Sequence, residues 1–294
     1  MESSSEHARG LAIVVAGVLL LTPDALLIRL IAIDPWNLLV WRGFLQALVL
    51  SLILVALNGR TTPALFRAVG RRGLLCALLI AASTFLFIVA LSYTTVANVL
   101  IIMAAAPFFA AITSRIFLGE PVRGFTWTAI AVAMAGIALL AYGSLDAETP
   151  GTLLGDLLAL GGTATLGSNF TVLRHGRSVN MFPAMIMSGL LVGTLAWLLA
   201  PAIMLEGRQL LYLGIMGLVV APIPFALITI GLRSLPAPEA CLLMLLETVL
   251  GPLWVWLVIG ETPGRLALLG GVVVVATLAG HSILAQRAQA APAA

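Results

Sequence analysis

Apolar residues in this chain fall into blocks of about twenty, separated by short polar breaks. The blocks lie near 11–31, 36–57, 73–93, 96–117, 124–143, 152–173, 181–203, 209–231, 237–259 and 265–285. About 20 apolar residues in a helix cross the roughly 30 Å hydrocarbon core of a bilayer. The pattern therefore predicts ten membrane-spanning helices and an all-α polytopic fold. One boundary carries no charge, because residues 73–114 contain no Asp, Glu, Arg or Lys. A single helix there would be about 60 Å long, twice the bilayer core. The polar run SYTTVAN, 92–98, is the predicted turn.

Composition supports a lipid-facing surface. Charged residues make up 9% of the chain and hydrophobic residues 61%, where a soluble domain carries about 25% charged. All 15 basic residues are arginine. They are scattered through the breaks, with no basic stripe that would suit nucleic acid. Assigned to alternating sides, eleven (Arg9, Arg60, Arg67, Arg71, Arg72, Arg115, Arg123, Arg174, Arg177, Arg233, Arg287) fall on the side of the termini and three (Arg29, Arg208, Arg265) on the other. The positive-inside rule then places both termini in the cytoplasm. The start, MESSSEHARG, lacks a cleavage signature, so the first block reads as a retained span. Cys76 and Cys241 both lie inside apolar runs and read as small buried hydrophobes.

The chain also repeats itself. SRIFLGEPVRG, 114–124, and VWLVIGETPGR, 255–265, each close an apolar run with Gly-Glu, and Glu120 and Glu261 are 141 positions apart. At the same offset Met103 meets Met244, and PDALLIR (23–29) loosely matches SNFTVLR (168–174). This predicts two five-span halves, 1–148 and 149–294. Five is odd, so the halves would insert with opposite topology, the architecture of many secondary transporters.

FLGEP and VIGET ending the fourth and ninth spans, LGSNFTVLR in the sixth and VWRGF early in the second resemble the drug/metabolite transporter superfamily, EamA type. Within it, the nearest resemblance is to YddG-like amino-acid exporters of bacterial inner membranes. The resemblance implies alternating-access export of small metabolites, amino acids first, with multidrug or nucleotide-sugar transport as the alternative. It implies no cofactor and no metal. The chain departs from the family pattern at TPD, 22–24, and at Glu247-Thr248, where substrate would be read.

Charged residues inside spans are expensive and default to functional roles with a partner. Asp24 and Arg42 fall at similar depths, about 13 and 9 Å, in adjacent antiparallel spans. An ion pair is expected between them, either holding the helices or touching substrate. Pro23 removes a backbone donor and frees a carbonyl near Leu19, so this stretch is expected to kink and line a wet cavity. Glu247 falls mid-span in the ninth block. Candidate substrate-lining residues are Asp24, Arg42, Trp41, Ser83, Asn98, Pro107, Ser168, Asn169, Pro222 and Glu247, with Phe85, Phe108 and Trp254 as aromatic walls. Arg42 suits a carboxylate, and Asp24 or Glu247 an ammonium or a coupling proton. Asp156 is expected to be solvated or to cap a helix, and His281 to sit at an interface. Breaks are expected at Pro107 and at Pro222 and Pro224. An inverted ten-span fold is complete alone, so a monomer is expected.

Enzyme readings find no support. An aspartyl protease would pair Asp24 with Asp156, but LLGD at 153–156 lacks the G-x-G-D arrangement. No G-x-S-G run stands with a histidine at equal depth, and no Cys, His and Asp cluster has metal-ligand spacing.

Overall fold

The computed structural model describes residues 2–119, 122, 124–145, 152–175, 181–201, 205–231 and 237–290. Among them the chain is helical, with no strand. The first block forms α1 (Glu2–Leu21) and α2 (Asp24–Ile31), and α3 (Pro35–Asn58) follows. A short 3-10 turn then leads into α4 (Thr62–Leu91). Next come α5 (Val96–Met103), α6 (Ala106–Leu118) and α7 (Gly124–Leu145). The second part comprises α8 (Thr152–His175), α9 (Phe182–Trp197), α10 (Gly207–Ile215), a π-helical turn at Met216–Val220, α11 (Pro222–Gly231), α12 (Ala237–Ile259) and α13 (Arg265–Ala290). Among the described residues, five continuous runs are long and apolar enough to cross a membrane.

The longest run, Pro35–Leu91, is 57 residues, longer than one crossing needs. It bends at Gly59 and again inside α4 at Gly70, both with positive φ. The uncharged stretch breaks at Ser92–Thr95, inside the expected turn, where Thr95 caps α5 by accepting from the Asn98 amide. The first, fourth and eighth blocks are not single rods. The fourth bends at Ala104–Ala105, just ahead of Pro107, the second residue of α6. The eighth is disturbed one turn earlier than expected: the π-helical turn precedes Pro222, and Ala221 N–H reaches back to Met216 at 2.7 Å. Pro252 stays inside α12. The expected boundary at 148/149 lies outside the described residues, as does Glu120.

Helices pack through small residues, as they do where lipid removes the hydrophobic drive for association. A Cβ on Gly43 of α3 would lie 2.5 Å from the Gly189 carbonyl of α9. One on Gly270 of α13 would lie 2.4 Å from the Gly136 carbonyl of α7. Both contacts need bare backbone. α4 lies on α8, and α1 on α11. The main core runs through α2, α3, α4, α5 and α7. Outward positions stay apolar: Leu57, Phe117 and Trp197 are 72, 79 and 66% exposed, as a bilayer-facing surface requires.

Candidate functional site

The site begins with Pro23. It cannot donate to the Leu19 carbonyl, and the helix breaks there into α1 and α2. Protein, rather than the wet cavity expected from sequence, meets the freed carbonyl: Thr22 Oγ1 donates to Leu19 O at 2.9 Å, and Trp254 Nε1 donates to Thr22 Oγ1 at 3.0 Å. The break makes Asp24 the first residue of α2, at the helix end that favours a negative charge.

Arg42 of α3 meets Asp24 end on. Its Nη1 donates to Oδ1 at 2.6 Å and its Nη2 to Oδ2 at 2.9 Å. The two residues are 5 and 4% exposed. This direct, bidentate pair occupies both carboxylate oxygens and both ends of the arginine fork. Arg42 Nε is buried without a partner.

Glu247 of α12 is half-buried and within Coulombic reach of both Asp24 and Arg42. Among the described residues it has no hydrogen-bond or ion-pair partner. Gly251, one turn on, faces Leu100 and the Thr22 carbonyl, and Trp254 follows on the same face. The helix face bearing Glu247 is thus the one that meets the break in the first span. Thr248 is buried beside it.

The other expected residues are dispersed. Trp41 is 38% exposed and lines a shallow outer groove with Phe44, Leu48 and Trp197. A residue one step from Arg42 on a helix faces elsewhere, which corrects its expected inward role. Ser83 Oγ donates to the Gly162 carbonyl at 3.0 Å, tying α4 to α8. Ser168 bonds back to Ala164 and meets Thr113 Oγ1 at 3.1 Å. Asn169 is buried, and its Oδ1 has no partner. Pro107 is the second residue of α6, and Pro222 the first of α11. Phe85 stacks at a tilt on Trp36, and Phe108 lies edge-on to His281. His281 also contacts Phe125 and shares a hydrogen bond with Thr126, an interface role. Cys76 is buried; the Cys241 side chain lies outside the described residues.

Asn98 belongs to a second polar cluster, at the bundle end bearing Glu261. Asp156, expected to be solvated or capping, is 3% exposed there. It accepts from Thr94 Oγ1 at 2.8 Å, from Asn98 Nδ2 at 3.0 Å and from Ser144 Oγ. Burial follows from close packing: Gly155 lets α8 approach Thr94, where a Cβ would lie at 2.7 Å. The same turn carries the next contact. Arg29 Nη2 donates to Thr94 O at 2.8 Å, Arg29 Nε lies 3.1 Å from Glu261 Oε2, and Val96 N–H donates to Glu261 Oε1 at 2.8 Å. Gly260 and Gly119, the glycines of the two Gly-Glu pairs, both have positive φ, which stops each helix and turns the chain. Sequence reasoning found the Gly-Glu signal and missed its partner Arg29. The signal was present in the loosely aligned repeat PDALLIR, whose arginine lies in the last turn of α2.

The EamA-like transporter family matches the chain twice, over residues 8–142 and 153–283. The chain belongs to this family and is a multi-pass membrane transporter of the drug/metabolite type. No curated protein matches it. A solved structure titled "Crystal structure of protein" is similar over 96% of this chain and 99% of its own, with a TM-score of 0.68 and 17% identity, a likeness of fold.

Proposed function

We propose that this chain is a secondary transporter that exports amino acids, aromatic and apolar ones included, across a bacterial inner membrane by alternating access. The observation that carries this reading is the buried, bidentate Asp24–Arg42 pair with the unpartnered Glu247 beside it. A zwitterion can enter such a pair by exchange: its carboxylate takes the Arg42 fork, and its ammonium takes Asp24 or Glu247. Two charges replace two, so no net charge is added to a low-dielectric site. Two inverted five-helix halves fit the packing, in which α3 meets α9, α5 meets α12 and α7 meets α13. With the arginine-rich breaks inside, both termini are cytoplasmic and the Glu261 end is external. The monomer contains the whole site.

The test is counterflow of labelled amino acids in proteoliposomes, for the wild type and for the neutral pair Asp24→Asn/Arg42→Gln. Saturable uptake by the wild type, lost in the variant while it remains folded at the assay temperature, is the expected result. Unchanged uptake in the variant would remove the pair from the site. Absence of flux for every amino acid would replace this reading with drug or nucleotide-sugar transport.

A further inference from the structure

Between the rods of α3 and α4 the chain runs across one end of the bundle. α3 has 24 residues and is about 36 Å long, and residues 71–91 of α4 make a rod of about 32 Å. Each is long enough to cross the roughly 30 Å core. The chain turns at Gly59 and again at Gly70, both with positive φ. The short helical piece between the two bends, residues 62–69, therefore lies at the membrane–water boundary. Its inner side is anchored: Leu65 packs on Ala47, Leu50 and Leu54, and Val69 on Cys76 and Ala184. Hydroxyls of the turn hold its own carbonyls. Thr61 Oγ1 donates to Asn58 O at 2.7 Å, and Thr62 Oγ1 donates to Gly59 O at 2.9 Å. The outer side is an open groove of about 740 Å³, with Val55, Pro63 and Phe66 as an apolar wall and Arg60 and Arg67 beside them. Val55 and Phe66 are 53 and 37% exposed, so this wall faces outward. Arg60 and Arg67 are exposed, and among the described residues neither has a hydrogen-bond or ion-pair partner. No acidic residue occurs between Asp34 and Glu120, so the local sequence offers nothing to neutralise them.

Two unpaired guanidinium groups beside an apolar wall, at boundary depth, suit a molecule with an anionic head and an apolar chain. A lipid of the surrounding bilayer is such a molecule. Phosphate oxygens fit the arginine fork, and a chain along Val55 and Phe66 covers apolar surface. Arginine distribution assigns this end to the cytoplasm, whose leaflet carries anionic lipid. A zwitterionic headgroup suits the groove less, because its own ammonium opposes the arginines. We propose that the groove between the end of α3 and residues 62–69 binds one anionic phospholipid. Its phosphate is held by Arg60 and Arg67, and a chain lies against Val55, Pro63 and Phe66. The site is separate from the Asp24–Arg42 pair and holds whatever the transported substrate is.

The test uses purified full-length protein in detergent, titrated with dioctanoyl phosphatidylglycerol, dioctanoyl phosphatidylcholine or glycerol phosphate, with bound lipid counted by native mass spectrometry. One phosphatidylglycerol per chain is expected to be retained saturably, at least about tenfold more tightly than phosphatidylcholine, and less tightly as salt rises. Arg60→Gln/Arg67→Gln should weaken its binding at least about tenfold. Arg71→Gln/Arg72→Gln removes the same charge just outside the groove and should weaken it less than about threefold. Should a double variant fail to fold, the single substitutions Arg60→Gln and Arg67→Gln, set against Arg71→Gln, read the same difference. Equal retention of the two phospholipids by the wild type would overturn the proposal and leave an apolar groove. Displacement of the lipid by glycerol phosphate would overturn it in favour of a free-anion site. Equal losses in the two arginine pairs would overturn it in favour of diffuse surface attraction.

Discussion

Asp24 and Arg29 sit five residues apart on the eight-residue α2, yet their surroundings differ in kind. Asp24 is buried in a single ion pair, with an unpartnered carboxylate close by. Arg29 is partly exposed, its side chain 28% accessible, and it joins a shared network. That network draws on the ends of α2, α7 and α12 and the starts of α5 and α8. The central region holds its charges with few partners: one ion pair, and one carboxylate without a hydrogen-bond or ion-pair partner among the described residues. The end region spreads its charges over several elements and so fastens the helices there. A short helix carrying both places the paired acid and the fastening arginine on one rigid piece.

The comparison can be broken at either end. The largest expected effect is on stability from Arg42→Ala, which strands Asp24 in the interior. A loss of about 3–5 kcal/mol is expected, as for other buried pairs cut on one side. Asp24→Asn/Arg42→Gln should cost clearly less, because no lone charge remains. Unfolding followed by circular dichroism in detergent measures both, and equal losses would mean the pair is wet. Asp156→Ala comes next: it leaves the Thr94, Asn98 and Ser144 donors without their acceptor, at about 1–3 kcal/mol by the same assay.

Glu261→Gln should cost less, about 0.5–1 kcal/mol, because its ion pair with Arg29 is partly exposed. Its clearer signature is access. A cysteine placed at the buried Ala97, with Cys76 and Cys241 replaced by serine, should react faster with a maleimide once Glu261 is neutralised. Unchanged reactivity would mean the Arg29–Glu261 contact does not hold that end shut. The smallest effect is expected for Trp254→Phe, which removes one donor to Thr22 and should cost about 0.5 kcal/mol.

How much of this was legible depends on the range of the interaction. The block pattern located the helices, because spanning length and charge exclusion are properties of local sequence. The Asp24–Arg42 contact was legible for a related reason: adjacent antiparallel spans joined by a short turn bring equal depths together. Trp41 was misplaced because depth says nothing about which way a side chain points around the helix. Asp156 was misjudged because distance from a span end does not reveal whether Gly155 lets Thr94 close over it. The Arg29–Glu261 contact joins residues 232 positions apart, and no local pattern fixes it.

The sequence by itself determined that the chain lives in lipid, that it is all-helical, and that Pro23 breaks the first span beside an acid. These follow from the cost of unsatisfied charge and backbone in hydrocarbon, a cost that acts residue by residue. Only the tertiary structure decided the partners of the charges whose contacts lie on distant segments, Arg29 with Glu261 and Asp156 with Thr94 and Asn98. Coulombic and hydrogen-bond partners are chosen by helix rotation and by glycine contacts between distant segments. Those contacts gave Asp156 its donors, and among the described residues they left Glu247 without a hydrogen-bond or ion-pair partner.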